Sequence, residues 1–181
     1  MNHQSVTVNV VVDDKIFHKF TVFDNVVRKR CLLRPIGFAL VMMALAFILF
    51  IREDGATLGS ITVFIGLVIP FYQIWNFFRS IKLQIKAYDL ENPKTVYSLY
   101  FTREPDGVEV TNHGKGDKPL RYEWDSLHGV YRVGGAIYLY VLPNKAYLLP
   151  DGQAVEGTDA LWEMLTSMLP PEKLHDRRNR K

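Results

Sequence analysis

Residues 35–51 and 57–78 contain no charged side chain, and only Arg52-Glu53-Asp54-Gly55-Ala56 separates them. No other feature limits the fold as strongly. A helix needs roughly 20 mostly apolar residues to cross a bilayer core ~30 Å thick. The second run meets that length alone. The first meets it when Leu32 and Leu33 join and Arg34 extends its guanidinium to the headgroups. A connection this short makes the two helices antiparallel neighbours. The prediction is a transmembrane hairpin: a first helix over 32–51, a loop over 52–56 and a second helix over 57–78.

The charges beside the hairpin orient it. Arg28, Lys29, Arg30 and Arg34 precede the first run, and Arg79, Lys82 and Lys86 follow the second. The loop sets Arg52 against Glu53 and Asp54. Basic residues gather on the cytoplasmic side of a membrane. The expectation is a multi-pass protein of the bacterial inner membrane with both termini cytoplasmic. Tyr72, Trp75, Phe77 and Phe78 stand where an interfacial aromatic belt belongs. Gly55, Gly59 and Gly66 let backbones approach closely. They predict packing on the first helix or, through the same face, a homo-oligomer. Pro70 predicts a bend. Neither run carries a charged residue of the kind that marks a transport path, so the hairpin reads as an anchor.

Composition adds limits. Of the 181 residues, 48 % are apolar, and the surplus is concentrated in the hairpin. A net charge of +3 gives no whole-chain case for nucleic-acid binding. Cys31 is the one cysteine, so no internal disulfide is expected. The apolar run begins too far from Met1 for a cleaved signal peptide, and neither end carries a lipidation signal.

Outside the hairpin the pattern shifts towards period two. Residues 5–12 (SVTVNVVV) and 15–23 (KIFHKFTVF) flank Asp13-Asp14 and predict a β-hairpin, which with the basic flank forms a segment over 1–31. Residues 79–94 read as a basic linker. Strands are predicted at 95–102, 108–111, 120–124, 127–133, 136–142 and 146–149, with turns at Glu104-Pro105-Asp106-Gly107, Gly134-Gly135 and Pro143-Asn144-Lys145 and a polar loop over 112–117. Such spacing predicts an antiparallel meander. Thr158 is the expected N-cap of a helix to Leu169 that buries Leu161, Trp162, Leu165, Met168 and Leu169. The soluble domain then spans 95–169, and the basic tail 170–181 is expected to be disordered. The fold class is an α+β membrane protein.

These residues resemble the YcxB-like family of bacterial membrane proteins. The order agrees: a β-rich start, a basic flank, two membrane helices and a small β domain. Within that domain the resemblance rests on Tyr100-Phe101, Asp106-Gly107-Val108, Tyr122-Glu123-Trp124-Asp125-Ser126-Leu127, Ala136-Ile137-Tyr138-Leu139-Tyr140 and Ala146-Tyr147-Leu148-Leu149-Pro150. The family usually has a basic residue after that proline, where this chain has Asp151. The resemblance implies a cytoplasmic PH-like domain, a curved antiparallel sheet capped by a C-terminal helix. It implies no catalytic residue.

The chain's own residues point the same way. His3, His18, His113, His128 and His175 show no metal-ligand spacing, and no cysteine pair supplements them. Glu123 and Asp125 would share the solvated face of a strand whose Tyr122 and Trp124 point inward. The glycines at 114 and 116 do not have phosphate-loop spacing, and no Gly-x-Ser-x-Gly occurs. No cofactor or metal is predicted, and an enzyme is not expected. The expected function is a membrane-anchored interaction module, with the bilayer and a protein, peptide or anionic-lipid headgroup as partners. The alternative is a structural or assembly subunit held in a larger membrane complex through its hairpin.

Overall fold

The computed structural model describes residues 5–92, 95–103, 107–113 and 118–178. The chain forms two compact units, one built from Met1–Ile16 and Leu90–Lys181, the other from Phe17–Asp89. The predicted turn at 104–106 and most of the loop over 112–117 lie outside the described residues, as does His3.

The first unit contains two four-stranded sheets. Strand β1 (Ser5–Val11) opens the first, followed after the hairpin by β2 (Thr95–Thr102), β3 (Gly107–Asn112) and β4 (Leu120–Tyr122), all antiparallel in the order β1-β2-β3-β4. Alternation sets the register of β1, because Val6, Val8 and Val10 are buried while the residues between them are not. The second sheet has β5 (Gly129–Val133), β6 (Ala136–Leu142), β7 (Lys145–Pro150) and β8 (Leu174–Asp176) in the order β7-β6-β5-β8. Gly135, at φ +94°, makes the β5–β6 turn, a conformation that L side chains rarely adopt.

Side chains stitch the sheets together. The Tyr97 hydroxyl, on β2, donates to the Leu148 carbonyl at 3.0 Å and accepts the Leu148 N–H at 2.8 Å, on β7. Burial pushes this phenol well above its ordinary value, so it keeps the proton it donates. Trp124 Nε1 donates to the Thr102 carbonyl at 3.1 Å, and its ring stacks on Phe101. The β1 edge is closed by residues 153–156: Val8 bridges Ala154, Val155 N–H donates to Thr7 O, and the Gln153 side chain bonds both backbone groups of Val11.

A helix before the hairpin replaces the expected second strand. Residues 15–23 are not extended, since α1 occupies Asp14–Val22 and a π-helical stretch follows at Phe23–Arg28. The Asp13 carboxylate accepts the Ile16 N–H at 2.7 Å, the geometry of an N-cap. Phe17 and Phe20 are half-buried and Phe23 is buried, while Lys15, His18 and Lys19 are exposed. The same letters thus fit a 3.6-residue stripe, and the cap decides between the two periods.

Helices α2 (Leu33–Phe50) and α3 (Ala56–Ala87) form the antiparallel pair of the second unit. Both are long and apolar enough to span a membrane. At 32 residues, α3 is about 48 Å long and outruns its apolar portion, so much of the expected linker over 79–94 is helix.

Three further expectations change. Strand β4 ends at Tyr122, and Trp124–Ser126 turns as a 3-10 helix, so Glu123 and Asp125 do not share a strand face. Helix α4 (Thr158–Met168) is N-capped by Gly157 at φ +95°, and its buried face is Leu161, Met164 and Leu165, with Trp162 and Met168 only half-buried. The Thr158 hydroxyl instead accepts the Gly152 N–H at 2.9 Å. The expected disorder of the tail is not seen over its described residues 170–178, where β8 pairs parallel with β5 through Val130↔Leu174, Tyr131↔His175 and Arg132↔Asp176. Its polar sequence gives no apolar signal, and the pairing comes from the open edge of β5.

Leu139 is fully buried on the central strand β6. Leu139→Ala is expected to destabilise the domain by about 2–5 kcal/mol, read from denaturant unfolding of the full chain in detergent by near-UV circular dichroism.

Candidate membrane-interface site

The hairpin contact is built around small residues. Gly59 and Gly66 lie seven positions apart on one face of α3, and both are buried. A Cβ at Gly59 would come 2.9 Å from the Phe50 ring, and one at Gly66 would come 2.7 Å from Met42 Cβ. Both faces therefore meet across α2 and α3 of one chain. Gly55 plays another part. It N-caps α3, where a Cβ would overlap the Leu49 carbonyl, so it closes the loop.

One further seven-residue step along α3 reaches Gln73. Gln73 is exposed here, and a cavity of about 490 Å³ lies beside it. Lys29, Arg34 and Gln73 supply its polar lining. Leu32, Pro35, Ile74 and Phe77 supply apolar walls, and Cys31 completes it.

The chain reaches this cavity through an unusual turn. In the π-helical stretch, Lys29 N–H donates to Asp24 O at 2.9 Å. The wider π turn lets residues four and five positions on share one partner. Arg28 Nε and Lys29 Nζ thus each lie 2.6 Å from opposite oxygens of the Asp24 carboxylate, which is buried. Arg30 then takes φ +52°, and Leu33 N–H donates back to Arg30 O as α2 begins. Left-handed backbone at a non-glycine residue costs energy and is concentrated at functional sites.

The remaining predicted residues are distributed around this base. Arg34 is exposed at the start of α2 and has no ion pair among the described residues. Arg79 and Lys82 line a smaller recess of about 140 Å³ with Trp75 and Phe78. Lys86 is exposed in the last turn of α3. Tyr72, Trp75 and Phe78 face outward, with Trp75 stacked on Phe71, whereas Phe77 is half-buried and lines the cavity. Asp24 was missed in the sequence, and Gln73 reads there only as a polar residue near the interface. For Asp24 the four-residue spacing to Arg28 was a usable signal.

The β unit carries two polar clusters. Lys145 Nζ lies 3.1 Å from the Tyr122 hydroxyl, which is 3.4 Å from that of Tyr147. Burial works to raise the Tyr122 phenol, but hydrogen bonds from Tyr147 and Lys145 and the lysine charge outweigh it and hold it below its ordinary value. Burial, with Tyr122 alongside, pushes Tyr147 up. Elsewhere, Arg132 is buried under the Trp162 ring, and its Nη2 lies 2.6 Å from Asp159 Oδ1. His113 Nε2 sits 2.8 Å from the Ser98 hydroxyl, while His18 and His128 are exposed and His175 stacks on Tyr131. Among the described residues no three His, Cys, Asp or Glu side chains group as metal ligands. Comparison of the chain with protein-family models, curated proteins and solved structures finds no match.

Two outcomes follow. Gly66→Leu is expected to destabilise the hairpin by about 1–3 kcal/mol through overpacking on Met42, with partial rescue by Met42→Gly, read from thermal loss of the helical signal in detergent. Asp159 is held below the ordinary carboxylate value by the Arg132 hydrogen bond and charge. Its contribution is therefore complete above the unfolded-state value and fades as pH falls through the lower folded-state value. Asp159→Asn is expected to lower the thermal midpoint at pH 7, with the gap from the unaltered chain closing in acid.

Proposed function

We propose that this chain is a non-enzymatic interaction module anchored in the bacterial inner membrane, similar to the YcxB-like proteins. The hairpin crosses the bilayer twice, and both termini lie in the cytoplasm. The β unit acts there as a PH-like domain for a protein, peptide or lipid-headgroup partner.

One observation carries the reading. Strands β1 and β2 come from opposite sides of the hairpin in sequence, yet they pair from Ser5↔Thr102 to Val11↔Thr95. Whichever side of a membrane one flank occupies, the other shares it. The hairpin must then cross an even number of times, and two apolar helices supply that number. The charged flanks select the cytoplasm. Exposure supports a lipid surround, because Phe47, Phe64 and Phe71 are 68 %, 67 % and 67 % exposed. Apolar surface on this scale calls for a cover, and lipid supplies one.

For the β unit, two sheets with a helix after them suit a PH-like arrangement. Strand β4 is the outer strand of its sheet and carries the exposed Leu120, which suits an added peptide strand. Gly59 and Gly66 are already filled by α2, so a homo-oligomer would use another face.

Reporter fusions test the framework. A cytoplasm-active fluorescent protein is expected to work at either terminus, and a periplasm-active phosphatase only within residues 52–56. Phosphatase activity at a terminus would overturn the reading. Proximity labelling from the C-terminus is expected to mark cytoplasmic proteins in a pattern that Leu120→Glu changes.

A further inference from the structure

We propose that the cavity at the base of the hairpin binds the phosphate headgroup of an anionic glycerophospholipid. It is separate from the partner surface of the β unit, and it rests on the reading that the hairpin spans a bilayer.

The lining fits one class of ligand. Lys29 and Arg34 are cationic, Gln73 offers a neutral amide donor, and among the described residues no carboxylate lines the cavity, the nearest by contact being Asp24, which pairs with Lys29. Such a site selects an anion, and its charge-assisted donors suit phosphate oxygens. The apolar residues of the same lining suit the first carbons of acyl chains. A soluble anion would leave those walls wet, whereas a lipid covers them. The cavity volume of about 490 Å³ falls within the ordinary range for small-ligand sites.

Placement argues against accidental charge. Position 73 continues the seven-residue spacing of Gly59 and Gly66. Gln73 stands there, exposed, and lines the cavity beside two cations. Asp24 holds Lys29 by its ammonium, and left-handed Arg30 turns the chain so that Cys31, Leu32 and Arg34 reach the cavity. Basic residues that only marked topology would need neither the anchoring carboxylate nor the strained turn. Basic pockets between helices on the cytoplasmic side are a known mode of anionic-lipid capture.

The test uses the full chain, purified in detergent, with added phosphatidylglycerol or phosphatidylcholine, and reads bound lipid by native mass spectrometry. Phosphatidylglycerol is expected to be retained preferentially. Lys29→Gln with Arg34→Gln is expected to weaken retention by roughly tenfold or more, while Lys82→Gln with Lys86→Gln, an equal loss of charge outside the cavity, leaves it nearly unchanged. Equal loss in both pairs, or no preference between the lipids, overturns the proposal. Full competition by glycerol 3-phosphate would overturn it in favour of a soluble phosphoester site. Cys31, itself in the lining, gives a second readout that needs no introduced cysteine. Its alkylation by a neutral maleimide is expected to slow several-fold as phosphatidylglycerol is titrated in, to saturate, and to be insensitive in the Lys29/Arg34 variant. A chain recovered in the soluble fraction after lysis would overturn the membrane reading itself, whereas an inserted chain without lipid preference overturns this proposal alone.

Discussion

The β1–β2 ladder is the contact on which the rest depends. It joins strands that lie more than eighty residues apart in sequence, with the whole hairpin between them. Without it, Ser5–Val11 would be a lone strand, and an isolated strand does not hold itself together in water. With it, Val6, Val8 and Val10 enter the same core as Leu99 and Phe101. The contact is entropically costly because it closes a long loop. That cost falls if the hairpin forms first, since two antiparallel helices bring their own ends together. Helix formation would then precede sheet closure.

The hairpin solves a different problem. In lipid, the surround proposed for this pair, no hydrophobic force draws helices together, so close packing must do it. Gly59 and Gly66 allow that approach, and Phe50 and Met42 fill the space a side chain would have taken. The close approach is seen at Gly59 and Gly66, and Gln73, seven residues further on, is exposed. A helix pair with close contacts near the loop and a polar-lined cavity at its charged base suits both proposed roles, an anchor along most of its length and a ligand site at one end.

How much of this was legible in the sequence depends on which force wrote each segment. Residues 35–51 and 57–78 were readable as two long helices because each is a long, uncharged apolar run bounded by charges. The period of the later strands was readable because one face of each is buried. Residues 15–23 were not, since Ile16, Phe17, Phe20 and Phe23 satisfy a helical stripe while their neighbours satisfy an alternating one. Asp13 settled it by a single hydrogen bond. Strand β8 was invisible for another reason: it is a three-residue edge whose side-chain contact, His175 on Tyr131, leaves no periodic apolar pattern. The basic flank was counted correctly and misjudged in detail, because a count of charges does not reveal that one buried carboxylate holds two of them.

That carboxylate changes what the flank can do. Asp24 is buried and takes both Arg28 and Lys29, so these three side chains together present one net positive charge. Seen from a distance, the N-terminal flank is a weaker topology signal than its sequence suggests. Close to the surface it is more selective. A flexible lysine loses side-chain entropy when it closes on a phosphate, and Lys29 has already lost much of it to Asp24. Arg34 lacks such a tether among the described residues and keeps its full charge. One cation is thus positioned and the other is free to adjust, an arrangement suited to an anion that arrives laterally within a membrane and must leave again. Charge removed from distant attraction is retained as local geometry, which the proposed lipid site would use and a row of topological markers would not.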